Sequence, residues 1–197
     1  MSKIFLHYKT DSPDARGKRH IEVRDFLRDY FAVPENPQAN YFIIDPFLEP
    51  LEHLYVPMRE GRIEDSFYCD LISTLAMEHF NRAVFSIITK KDVVELSKTL
   101  SIKRENVPSV EFQHNELDWC LIRVCQYTSQ ENTSPYKLHD RWFLQENGGA
   151  VRGIHIGPSL QNFYGKDITI TDFDSASCRD ALMRFKEIWS ICEAKRE

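Results

Sequence analysis

Tyr41-Phe42-Ile43-Ile44-Asp45-Pro46-Phe47 is the stretch on which the fold turns. Four apolar side chains run without the polar alternation of a half-solvated strand, and an Asp-Pro pair then breaks them off. Such a run predicts a strand buried on both faces, inside a sheet covered by helices. Val84-Phe85-Ser86-Ile87-Ile88-Thr89 has the same character. Between the two, Phe67, Leu71 and Leu75 with Ile72, Ala76 and Phe80 make one broad apolar stripe at helical spacing.

Working outward, residues 4–8 predict a short first strand. A loop is expected over residues 11–19, which carry Pro13, Gly17 and mixed charges. Ile21, Val23, Phe26, Leu27, Tyr30 and Phe31 predict a helix over 20–31, stopped by Pro34 and Pro37. Val93, Leu96 and Leu100 predict another over 92–103. Strands are expected at 110–112 and 119–127, then a polar loop at 130–135. Two more strands, 138–144 and 153–156, flank a turn at Asn147-Gly148-Gly149. A strand at 167–173 and a helix at 175–192 complete the pattern. Asp174 is its N-cap, and Leu182, Phe185, Ile188, Trp189 and Cys192 face inward. Strand and helix alternate in the first half and strands cluster in the second. The expected fold class is α/β, a mixed β-sheet flanked by helices on both faces. Residues 1–197 read as one domain, with 1–40 a strand-helix extension and 41–192 the core.

Thirty acidic against 25 basic residues give a net charge of −5. That excludes bulk coating of nucleic acid and leaves room for a local basic pocket. Lys90, Lys91, Lys98, Lys103 and Arg104 read first as a solvated face, and Tyr136, Trp142, Phe163 and Tyr164 as packing residues. The apolar run at the start is too short for a signal peptide, and no run approaches the roughly 18 apolar residues of a membrane span. Five cysteines, an odd number, predict free and mostly buried thiols in a reducing, cytoplasmic setting. His114, Cys120 and Cys125 match no common zinc spacing, so no metal and no cofactor is expected.

The densest group of reactive side chains is Lys137-Leu138-His139-Asp140-Arg141-Trp142, with His155-Ile156-Gly157-Pro158-Ser159 beyond the glycine turn. On a strand His139 and Arg141 share a face, while Asp140 points the other way. An imidazole beside a guanidinium suits a phosphate: one side chain attacks or donates a proton, the other neutralises charge with fixed donors. The plainer reading of His139 is a core histidine bonded to a carbonyl. Asp45 reads as a cap on the turn after its strand, at a strand end of the kind that often lines a site.

Ile43-Ile44-Asp45-Pro46-Phe47 with its following helix and Ser86-Ile87-Ile88-Thr89, then Leu138-His139-Asp140-Arg141, Gly157-Pro158-Ser159-Leu160 and Gly165-Lys166-Asp167-Ile168-Thr169, together resemble the phospholipase D-like superfamily. The likeness is to its single-motif bacterial members and to the C-terminal domain of MIT-domain proteins, and it covers about three-quarters of the chain. Active members carry H-x-K-x4-D followed by G-S-x-N. The resemblance implies His139 as nucleophile, Arg141 in place of the phosphate-binding Lys, and Glu146 in place of the Asp. It implies Ser159 and Asn162 as further phosphate ligands. Arg for Lys, Glu for Asp and the intervening Pro158 are departures from the active pattern. The chemistry uses two histidines, so with one motif it implies a symmetric homodimer; His155 is the alternative second histidine. Three functions follow as expectations. One is a homodimeric, metal-independent phosphodiesterase or nuclease working through a phosphohistidine. Another is a catalytically inactive module binding a phosphate-bearing ligand, nucleic acid or a phospholipid headgroup. The third is a scaffold for a protein partner.

Overall fold

The computed structural model describes residues 2–5, 13–32, 38–48, 67–77, 82–90, 109–113, 120–127, 138, 141–157 and 167–194. Among them are eight strands: β1 (Ser2–Phe5), β2 (Gln38–Ile44), β3 (Arg82–Thr89), β4 (Ser109–Gln113), β5 (Cys120–Gln126), β6 (Arg141–Asn147), β7 (Ala150–Gly157) and β8 (Ile168–Asp172). The helices are α1 (Pro13–Phe31), α2 (Phe67–Met77) and α3 (Ser175–Ala194). All eight strands form one sheet in the order β1-β8-β7-β6-β2-β3-β5-β4. β2, β3 and β5 run parallel at its centre, and every other pairing is antiparallel.

The continuous apolar runs sit where their composition demands. In β3 every residue from Ala83 to Thr89 is buried, because both faces of the central strands are covered. On one face Ala39, Tyr41, Ile43, Phe85, Ile87, Ile122 and Phe143 pack beneath Val23, Leu27 and Phe31 of α1 and Leu71, Ile72 and Leu75 of α2. On the other, Phe42, Ile44, Ile88, Cys125 and Trp142 lie beneath Phe185, Ile188 and Cys192 of α3. The α/β class with helices on both faces is therefore as expected. β1 and α1 are built into this same sheet and core, with β1 paired to β8.

Several boundaries differ from expectation. α1 starts at Pro13, inside the segment expected as a loop. Proline is well placed at a first helical position, where its missing N–H would have no intrahelical partner, and one glycine costs only about 1 kcal/mol in a helix of this length. β2 stops at Ile44, short of the expected Phe47, because Asp45 and Pro46 turn the chain. β6 runs three residues later than expected, as the hairpin turn is tighter: Asn147 pairs with Ala150 around Gly148 (φ 56°) and Gly149 (φ 86°). Positive φ at both central residues is the two-residue turn that a right-twisted hairpin favours. Asp174 is the N-cap of α3, its Oδ1 accepting from Ser177 N–H at 2.7 Å. Hydrogen bonds from Ser177 hold its carboxyl below the usual range. Cys120, Cys125, Cys178 and Cys192 are buried and in no disulfide, and burial pushes the Cys178 thiol up. Among the described residues no helix is long and apolar enough to cross a membrane. The helix expected at 92–103 lies outside them.

Two polar ties fix α1 to the sheet. Gln145 is buried and its Nε2 donates to Phe31 O at 2.8 Å and to Tyr41 Oη at 3.0 Å, which satisfies a carbonyl at the helix end. Tyr30 donates its hydroxyl to the Asp172 carboxylate, 3.1 Å from Gly153 O. Burial, then that carboxylate, push the Tyr30 hydroxyl up from its ordinary value.

Gly153 lies under the start of α3, where a Cβ would overlap Leu144 Cδ2 and come within 2.9 Å of Phe173 Cδ2. Gly153→Ala is expected to destabilise the fold by about 1–3 kcal/mol through this overpacking. Urea denaturation checks it; a midpoint equal to wild type would show that Leu144 yields at no cost.

Candidate functional site

The parallel strands β2, β3 and β5 all end at one edge of the sheet, where antiparallel β7 also ends and β6 begins. At that edge the end of β2 lies beside the start of antiparallel β6. The carboxyl ends of parallel strands are where open α/β sheets place ligands.

Asp45 follows β2 directly and Arg141 opens β6. With Ile44 opposite Trp142, the two are the next residues in register. Both point to the α1/α2 face, since Ile43 and Phe143 on either strand belong to that core. The ladder continues past the strand end: Asp45 N–H donates to Ile88 O at 3.0 Å, and Lys90 N–H to Pro46 O at 3.3 Å.

Asp45 is fully buried and completely engaged. Its Oδ1 accepts from Phe47 N–H at 2.8 Å, closing the turn, and its Oδ2 accepts from Tyr68 Oη–H at 2.6 Å. Arg141 Nε stands 3.2 Å from Oδ1 but off the line of a hydrogen bond, so the attraction is that of an ion pair. Burial pushes the Asp45 carboxyl above the usual range, while Tyr68, Phe47 N–H and Arg141 pull it back.

The Arg141 side chain is 10% exposed. Its Nε is buried, and among the described residues no hydrogen-bond or ion-pair partner of Nη1 or Nη2 is seen. The guanidinium carbon lies 5.2 Å from the ring centre of Phe47, which is 47% exposed. The arrangement is a cation seated on a buried carboxylate and braced by an aromatic ring. A guanidinium fork is a donor set that can grip an oxyanion.

The other residues singled out in the sequence fall elsewhere. Glu146 lies at the far end of β6, five residues and so about 17 Å from Arg141. It is on the α3 face, with Oε1 3.8 Å from Lys186 Nζ. His155 is opposite Trp142, which packs edge-on to Phe173 and under Arg184, so it too belongs to the α3 face. The structure brings neither together with Arg141, because Glu146 is four residues along β6 from Trp142 and His155 is directly opposite Trp142, and strand side chains alternate. Trp142 is a packing residue. His139, Ser159 and Asn162 lie outside the described residues, as do His114, Tyr136, Phe163 and Tyr164.

Tyr68 and Phe47 are site residues that the sequence did not flag. Tyr68 precedes Ile72 by one helical turn, so it extends the apolar stripe, and a tyrosine there needs a hydroxyl partner. The signal was present; the identity of the partner was not. No family model, curated protein or solved structure matches the chain.

Proposed function

We propose that this chain is a phospholipase D-like module that binds a phosphate-bearing ligand through Arg141. The observation that carries the reading is the Arg141 guanidinium, held against the buried Asp45 carboxylate where β6 begins beside the end of β2. The order of motifs along the chain supplies the phospholipase D-like part. Binding is favoured over hydrolysis because Glu146 and His155 stand on the opposite face from Arg141.

Titration calorimetry with inorganic phosphate and with a short oligonucleotide tests this. Wild type is expected to bind, and Arg141→Ala to lose about ten- to a hundredfold in affinity, the worth of a charge-assisted bidentate contact. Failure of both ligands to bind would overturn the reading and favour a scaffold for a protein partner. Hydrolysis of a chromogenic phosphodiester without added metal, abolished in His139→Ala, would replace the binding module with a phosphohistidine enzyme. The solution mass would then have to be that of a homodimer.

A further inference from the structure

We propose that an anion seated on Arg141 is bound together with one proton, taken up by Asp45 from the buffer; the inference rests on the phosphate-binding reading above. An ionised Asp45 already balances the guanidinium, and an incoming anion would face that like charge across it in a poorly solvated setting. Neutralising Asp45 removes the repulsion and frees the cation for the ligand.

The surroundings of Asp45 can meet both protonation states. Tyr68 Oη, 2.6 Å from Oδ2, donates to the carboxylate, and on protonation it can turn to accept from the acid, its own O–H then needing another acceptor. Phe47 N–H donates to Oδ1 in either state. Arg141 Nε, 3.2 Å from Oδ1 and off-line, favours the ionised form chiefly by its charge, and an anion on the guanidinium would offset that attraction. The carboxyl has no exposure, and burial favours its neutral form. Among the described residues the titratable and charged groups facing it are Tyr68 from α2 and Arg141 from β6; Lys90, at the end of β3, meets this turn through its backbone N–H.

Inorganic sulfate is the probe, since it remains a dianion from pH 5 to 8 and contributes no titration of its own. Calorimetry in buffers of different ionisation enthalpy reads the protons exchanged. Wild type is expected to take up as much as one proton per sulfate. Its affinity should fall by up to about tenfold per pH unit where Asp45 is ionised in the free protein. Asp45→Asn, which mimics the neutral acid, should bind with a flat pH profile and more tightly than wild type at pH 8. Tyr68→Phe removes a donor to the carboxylate and should move the fall in affinity to higher pH; with wild-type proton uptake it decides the matter should Asp45→Asn not fold. Sulfate binding with no proton uptake, or a pH slope that survives unchanged in Asp45→Asn, overturns the coupling while leaving the anion site standing. No binding of sulfate or phosphate at any pH overturns both.

Discussion

Asp45→Ala is expected to destabilise the fold by about 3–5 kcal/mol, as truncating one partner of a buried ion pair generally does. The substitution leaves Arg141 without its counter-charge, and removes the acceptors of Tyr68 Oη–H and Phe47 N–H together. Because the guanidinium keeps some contact with solvent, the lower part of that range is favoured. Asp45→Asn should cost much less. It too leaves Arg141 without a counter-charge, but it retains a carbonyl oxygen for Phe47 N–H, a polar group facing Tyr68 Oη and the volume of the side chain. Urea denaturation of the two variants at pH 7 makes the comparison. Equal losses for Ala and Asn would mean that the charge, not the hydrogen-bond frame, holds this corner. A loss under about 1 kcal/mol for Ala would remove the pair from any structural role.

Phe85→Ala should be comparably severe, at about 3–5 kcal/mol, for a different reason. Phe85 has no exposure, sits on central β3, and lies flat against Tyr41 of β2 with ring centres 4.5 Å apart and planes 5° apart. Tyr41 in turn meets the edge of Phe31 and of Phe143, so one truncation opens a cavity within an aromatic cluster spanning β3, β2, β6 and α1. Close packing leaves these rings little room to collapse into the gap. Phe85→Leu, which fills most of the volume, should recover the larger part of the loss. Thermal unfolding of both variants would show it, and an alanine variant as stable as wild type would contradict the packing account.

What was legible in advance follows from the kind of signal each feature leaves. β2, β3 and α3 announce themselves through apolar periodicity, which burial imposes residue by residue. The Asn147-Gly148-Gly149 turn and the Asp174 cap are local chemistry and read directly. The start of α1 was hidden, because Pro13 and Gly17 carry loop statistics that a long packed helix overrides. Pairing was hidden too: that the opposite number of Arg141 would be Asp45 depends on β6 lying beside β2. Glu146 was placed with Arg141 by motif spacing alone, and the pleat separates them. Gln145 looks like an ordinary polar strand residue, and only the arrival of α1's last turn above it explains why it is buried.

The pairing of β1 with β8 carries a consequence for synthesis. Residues 2–5 are made well before their strand partner, residues 168–172. At the roughly 5–20 residues per second of translation, that strand waits on the order of ten to thirty seconds for its neighbour to be made. The central parallel strands are all made within that interval, so they can assemble before β1 has a partner to pair with.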